Sequence, residues 1–219
     1  FQGFGARNTS PALWIDAMDG TISTIEVKGG TFLASIDGSI GGGVAGSISA
    51  DSSYINRLRN HTAETDPDLD LVVVQLSTND SKGQCETGVV SDSFDPATFD
   101  EVTTTGALEA IIAYAKETWG ARVLVITGTY FEDEMTYSGG QNAEIYKTMI
   151  ERCHELDEKW GDDFTVLDLW HNDAMYENVK TGDALWRSYM SDAIHPTKKG
   201  YLEWWGPYIE AQLYEMLAD

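Results

Sequence analysis

The chain has 219 residues, 36 of them acidic and 14 basic, so its formal net charge is −22 at pH 7. With 42% hydrophobic and only 23% charged residues, it can bury a core, which excludes a disordered protein. We expect one domain over residues 1–219. The acidic excess repels phosphate backbones, so nucleic acid is not an expected partner. No apolar run approaches the roughly 18 residues of a membrane span, which predicts a soluble protein without a membrane partner.

The first quarter of the chain alternates between helix and strand signals. Ser10-Pro11 predicts a helix that reaches about Met18, and Thr21–Val27 (TISTIEV) reads as a weak strand. A Gly/Ser-rich stretch over Ala34–Ser49 cannot hold a helix or a central strand, so we expect a long loop there. Residues Asp51–Ser53 predict the start of a helix through Arg59.

The remainder of the chain shows three aliphatic runs separated by helical patterns. Their continuous hydrophobicity is typical of buried parallel strands at Leu71–Leu76, Val123–Thr127 and Thr165–Leu169. Two stripes predict amphipathic helices, one with Leu108, Ile111, Ile112, Ala115 and Trp119, the other with Ile145, Met149, Cys153, Leu156 and Trp160. Gly206-Pro207 is expected to break or kink a C-terminal helix. The alternation predicts a three-layer α/β/α sandwich around a mainly parallel sheet.

Ligands of open α/β sheets bind beyond the carboxyl ends of the strands, so residues just after each strand are candidates for function. Asn79 follows the strand Leu71–Leu76, and its side-chain amide is a suitable donor to a developing oxyanion. An Asn-Asp pair after a strand is also ordinary turn chemistry. The aperiodic connection Ser81–Phe99 begins at the same edge, where a ligand site is expected.

Asp192 and His195 form the clearest catalytic pattern in the sequence. At this spacing, a turn brings the carboxylate within hydrogen-bond reach of the imidazole Nδ1, which leaves Nε2 as a general base. Pro196 disfavours helical backbone at His195 and keeps it in an extended loop. We expect no such partner at this spacing for the other histidines, which are His61, His154 and His171. No histidine pair has metal-ligand spacing, so no metal site is expected.

Two segments resemble conserved blocks of the SGNH, or GDSL-type, hydrolases. PDLDLVVVQLSTND resembles block III, with Ser77 where glycine is usual, and SDAIHPTKKGYLEWW resembles block V. The resemblance runs in order along nearly the whole chain and implies a flavodoxin-like α/β/α fold. It also implies serine esterase or lipase activity with His195 as base, Asp192 as its orienting carboxylate and Asn79 in the oxyanion hole. No cofactor is implied.

The remaining two blocks are less complete. Val27–Thr31 resembles block II, which implies that Gly30, or alternatively Gly29, lends a backbone N–H to the oxyanion hole. Block I carries the nucleophilic serine after the first strand, and Phe1–Asn8 resembles only the tail of that motif. We therefore expect the nucleophile at or before position 1. Ser39 is the internal alternative, but no strand precedes it to support a nucleophile elbow.

The expected substrate is a small acyl ester, and aromatic residues near the strand ends suggest a carbohydrate ester. A stacking platform is the functional interpretation of these residues, and core packing is the alternative. They are Tyr130, Phe131, Trp170, Trp186, Trp204 and Trp205. A non-catalytic binding protein on the same scaffold is the second hypothesis, although it has no use for the Asp192/His195 pair. A glycosidase is the third, with no supporting carboxylate spacing.

Overall fold

A computed structural model describes residues 53–67, 69–82, 85–132, 141–172, 174–177 and 184–217. The helices and strands within these residues are α1 (Tyr54–Leu58), β1 (Leu71–Gln75), α2 (Thr104–Trp119), β2 (Arg122–Ile126), α3 (Ala143–Trp160), β3 (Phe164–Leu167), α4 (Ala184–Tyr189), α5 (Lys198–Gly200) and α6 (Gly206–Leu217). Short 3₁₀ turns lie at Asp80–Lys82, Pro96–Thr98 and Gly161–Asp163, and a π-helical turn lies at Tyr201–Trp205. Gly30, Ser39 and the elements predicted before Ser53 lie outside the described residues.

The described strands form a parallel sheet in the order β1-β2-β3. Leu71 pairs with Arg122 at one end of the register and Gln75 with Ile126 at the other. The three predicted strands are confirmed, with ends that differ by at most two residues. Because all three run the same way, their carboxyl ends meet at one edge of the sheet, where the candidate residues follow.

Alternate residues of β2 belong to different apolar clusters, which shows the three layers directly. Val123 and Val125 pack with residues of α1, α2 and α3, whereas Leu124 and Ile126 pack with the C-terminal helical segment. A strand with both faces covered reads as continuously hydrophobic, as β2 does. The predicted α/β/α sandwich is therefore confirmed. No helix among the described residues is both long and apolar enough to cross a membrane.

The connection between β1 and α2 is held by a buried ion pair. Lys159 of α3 donates to Glu109 Oε1 of α2 at 2.5 Å and to the Ser93 carbonyl at 2.6 Å. Glu109 also accepts the Ser91 N–H at 3.1 Å. The aperiodic connection that follows the candidate Asn79 is thus anchored to two helices of the same layer.

In the C-terminal helix, the break expected at Gly206-Pro207 is not observed, and the alternative of a kink stays a prediction. Gly206-Pro207 does not interrupt it, because the π-helical turn leads directly into α6 at Gly206. Proline removes one helical donor and crowds the carbonyl four residues earlier, and a π turn is one way for a helix to absorb that conflict. Trp204, Trp205 and Met216 from this segment are buried against the sheet.

Candidate active site

Asp192 and His195 are joined in the turn between α4 and α5. His195 Nδ1 lies 2.7 Å from Asp192 Oδ2. The other carboxylate oxygen, Oδ1, accepts the backbone N–H groups of Ile194 and His195, both at 2.8 Å. The His195 side chain is 68% exposed and that of Asp192 30%. The carboxylate is therefore fixed by backbone, while the imidazole reaches into solvent.

The turn that carries this pair is closed at both ends. Met190 and Pro196 form an antiparallel bridge. The Ser191 N–H and its hydroxyl both donate to the His195 carbonyl oxygen at 2.8 Å. Ala193 between them is buried in the core. This closure limits the positions available to His195.

The glycine of the DxxHPxxxG pattern is required by a close backbone approach. A Cβ on Gly200 would lie 2.0 Å from the Tyr189 carbonyl oxygen of α4. Thr197 draws the same two elements together, since its hydroxyl donates to the Ser188 carbonyl at 2.9 Å and accepts the Gly200 N–H at 3.1 Å. Any side chain at Gly200 would push α5 away from α4 and disturb the turn between them.

The electrostatics of the pair favour an ionised carboxylate. Partial burial by itself raises the pKa of Asp192, but hydrogen bonds from the His195 ring and from the N–H groups of Ile194 and His195 outweigh it and lower that pKa. An ionised Asp192 accepts the proton on Nδ1 of His195. The lone pair of a neutral His195 then lies on Nε2, which is the atom a general base uses.

Asn79 lies at the carboxyl edge, four residues beyond the end of β1. Its N–H donates to Ser77 Oγ at 3.2 Å, and its carbonyl accepts the Lys82 N–H at 3.2 Å. The following Asp80 is fully buried and accepts the Thr104 hydroxyl at 3.1 Å. The turn is thus built by its own hydrogen bonds, and the oxyanion role of Asn79 stays a prediction.

Ser77, which stands where the resembled block has glycine, uses its side chain in this turn. It is buried and accepts the Asn79 N–H, and it hydrogen-bonds to the phenol of Tyr54. Burial, together with the nearby Asp80, raises the pKa of Tyr54 to about 12, so the phenol stays protonated. The serine is therefore a structural part of the turn.

The prediction that no other histidine has a carboxylate partner at this spacing is wrong for His171, and His61 and His154 have carboxylate partners at other spacings. His61 Nδ1 lies 2.9 Å from Asp66 Oδ2. His171 Nδ1 lies 2.7 Å from Asp168 Oδ2, and the His171 N–H donates to Asp168 Oδ1 at 3.1 Å. Asp168 precedes His171 by the same spacing as Asp192 precedes His195, so the sequence carried this signal twice.

Asp168 differs from Asp192 in holding two imidazoles. It follows β3 directly, and its Oδ2 also lies 2.9 Å from His154 Nε2 of α3. Burial raises the pKa of Asp168, but the hydrogen bonds from His171 and His154 outweigh it and lower that pKa. No group of three or more metal-ligating side chains within the described ranges is arranged to hold a metal ion.

Of the two interpretations of the six aromatic residues, core packing is confirmed for four and the stacking platform is not. Phe131, Trp170, Trp204 and Trp205 are buried, so they pack in the core as the alternative interpretation had it. Tyr130 and Trp186 keep partial exposure. Tyr130 lies edge-on to Trp170, with ring centroids 5.0 Å apart, and its hydroxyl donates to Glu132 at 2.7 Å. Most of the aromatic residues that suggested a carbohydrate substrate are therefore not exposed for stacking on a sugar.

Comparison with known proteins places the chain in a family. Residues 32–202 match the GDSL-like Lipase/Acylhydrolase family, a range that contains Asn79, Asp192 and His195 and begins after Gly30. A crystal structure of a protein from Lactobacillus plantarum is similar over 84% of this chain and 78% of that one, with a TM-score of 0.54 and 19% identity. That likeness concerns the fold alone. A search of curated proteins found no match. The chain belongs to the GDSL-like lipase/acylhydrolase family.

Proposed function

We propose that the protein hydrolyses small acyl esters, with His195 as general base and Asp192 as its orienting carboxylate. The observation that carries the proposal is the 2.7 Å contact between Asp192 Oδ2 and His195 Nδ1 in a chain of the acylhydrolase family. The contact occupies Nδ1, which supports Nε2 of the exposed ring as the basic atom. Asp168–His171 has similar local geometry, but the DxxHP segment at Asp192 is the one that resembles the family's block V.

The proposed reaction has two acyl-transfer steps. A serine hydroxyl attacks the acyl carbon while His195 Nε2 takes its proton, and the resulting imidazolium returns a proton to the leaving alkoxide. Water then attacks the acyl-serine with His195 again as base, which releases the carboxylic acid and regenerates the serine hydroxyl. Asp192 stabilises the imidazolium in both steps through its ionised carboxylate.

The negative charge on the tetrahedral oxygen needs preorganised donors. We assign the Asn79 amide and the Gly30 backbone N–H to this role, alongside the backbone N–H of the nucleophile. Each such donor contributes roughly 3–4 kcal/mol in hydrolases where it has been removed. The proposed nucleophile is the serine of the block I motif, with Ser39 as the internal alternative. Ser191 precedes the Asp192–His195 pair in sequence, but we do not assign it as the nucleophile. Its hydroxyl donates to the His195 carbonyl and so holds the turn.

A fluorophosphonate probe on the full-length protein tests this function, because the probe reacts with activated serines. We expect a single labelled serine, which peptide mapping should assign to the block I motif, and loss of p-nitrophenyl acetate hydrolysis in step with labelling. Labelling of Ser39 would identify that serine as the nucleophile instead. A folded protein with neither label nor turnover would contradict the proposed hydrolase function and favour a non-catalytic binding protein.

A further inference from the structure

The hydrogen-bond ladder between β1 and β2 ends in a side chain. The Leu76 N–H donates to the Ile126 carbonyl at 2.8 Å. In a parallel ladder, the next rung runs from the Gly128 N–H to the Leu76 carbonyl. Here the Gly128 N–H instead donates to the Tyr146 hydroxyl at 2.7 Å, and that hydroxyl donates to the Leu76 carbonyl at 3.0 Å. The phenol oxygen therefore stands inside the rung.

The surroundings of Tyr146 fix it in this position. The side chain is fully buried, and its ring packs against Phe131 and Trp170 with centroid distances of 5.4 Å to each. A Cβ on Gly128 would lie 3.1 Å from the phenol oxygen, so glycine makes room for it. Burial raises the pKa of Tyr146, which keeps the phenol protonated and able to donate.

The second ladder of β2 ends in the same manner. The Thr127 N–H donates to the Leu167 carbonyl at 3.0 Å, and the next donor on that side, the Leu169 N–H, goes to Thr127 Oγ1 at 2.8 Å. The Trp170 N–H joins it at 3.1 Å. Buried hydroxyls thus terminate both pairings of β2 at its carboxyl end, which is the edge where α/β proteins bind ligands.

A hydroxyl inside a rung holds two strands farther apart than a direct N–H···O=C bond. The wider spacing between β1 and β2 begins at Leu76, and the turn Ser77–Asn79 follows this residue directly. The path of that turn therefore depends on where Tyr146 holds the Leu76 carbonyl. Tyr146 itself is buried and does not reach the exposed edge, so it acts through the backbone.

We propose that Tyr146 is a positioning residue that sets the Ser77–Asn79 turn so that the Asn79 amide meets the substrate oxygen. The inference rests on the proposed function, because it uses the oxyanion role of Asn79. It goes beyond that function in assigning the geometry of the hole to a side chain on α3, 67 positions away from Asn79 in the sequence.

The test is Tyr146→Phe in the full-length protein, assayed with p-nitrophenyl acetate. We expect kcat to fall about tenfold to a hundredfold with KM within about threefold, because a displacement near 1 Å is enough to spoil a transition-state contact. The Gly128 amide should exchange with solvent faster, since it loses its acceptor. Tyr114→Phe is the matched control: its hydroxyl donates to the His61 carbonyl at 2.7 Å, before β1 and away from the carboxyl edge.

A double variant separates positioning from general damage. If Tyr146 acts through Asn79, Tyr146→Phe with Asn79→Ala should lose little more kcat than Asn79→Ala alone. Independent, multiplying losses would overturn the proposal, as would an unchanged kcat in Tyr146→Phe. Gly128→Ala, which crowds the phenol, serves in place of Tyr146→Phe if that variant does not fold, with the same expectations. Absence of turnover in the parent protein would contradict both proposals, whereas turnover with independent losses would overturn only this one.

Discussion

The carboxylates of Asp192 and Asp168 each orient a histidine, but they differ in the number of structural elements that they join. Asp168 accepts from His171 in its own turn and from His154 on α3, so it ties the end of β3 to a helix. Asp192 accepts from one ring and from two backbone N–H groups of its own turn. Asp192 therefore orients one imidazole, whereas Asp168 shares its carboxylate between two.

Asn79 carries the prediction that belongs to the residue scale. Asn79→Ala should lower kcat on the order of a hundredfold and change KM little, because in the proposed oxyanion role its amide meets charge only in the transition state. Steady-state kinetics with p-nitrophenyl acetate provide the measurement. Asn142→Ala is the matched control, since Asn142 caps α3 by accepting the Ile145 N–H at 2.9 Å, and its loss should affect stability and leave kcat unchanged. Equal kcat in the parent and in Asn79→Ala would assign Asn79 to turn structure only.

At the scale of elements, the hydrophobic pattern within one segment predicts whether that segment forms a strand or a helix. The aliphatic runs of β1, β2 and β3 and the apolar stripes of α2 and α3 are signals within one element, and the structure has each of them. The helix that Asp51–Ser53 was expected to cap is present at Tyr54–Leu58 and ends one residue before Arg59, but its N-cap Ser53 makes no side-chain cap bond. Contacts between distant elements, such as Lys159 with Glu109, leave no local periodicity to read.

The ion pair between α2 and α3 gives the prediction at this scale. Glu109→Ala should lower the free energy of unfolding by about 3–5 kcal/mol, because it leaves the Lys159 charge largely buried without its partner. The Glu109 side chain is 1% exposed and that of Lys159 12%. Chemical denaturation measures the loss.

The exposed pair of Arg59 and Glu101 is its control. These side chains are 40% and 30% exposed, and their contact is 2.6 Å long. Glu101→Ala should cost less than about 1 kcal/mol, since solvent screens such pairs. Similar losses in the two variants would show that the buried pair contributes no more than a surface one.

At the scale of the whole molecule, alternation of strand and helix predicted the layers, and spacing predicted the Asp192–His195 contact. The aromatic platform failed because a hydrophobic ring near a strand end is as well suited to the core as to a ligand, and sequence does not state which face it takes. The role of Tyr146 was not predictable either. It depends on a hydroxyl of α3 meeting the ends of β1 and β2, which only the assembled sheet brings together.

His195, and not the similarly paired His171, is the proposed catalytic base. The direct measurement is the turnover of p-nitrophenyl acetate by His195→Ala and His171→Ala in the full-length protein, with thermal unfolding to confirm that both variants fold. We predict a loss of about a thousandfold or more for His195→Ala, and a change within about threefold for His171→Ala. A His195→Ala variant that keeps turnover within a few fold of the parent, or a larger loss in His171→Ala, would contradict the account.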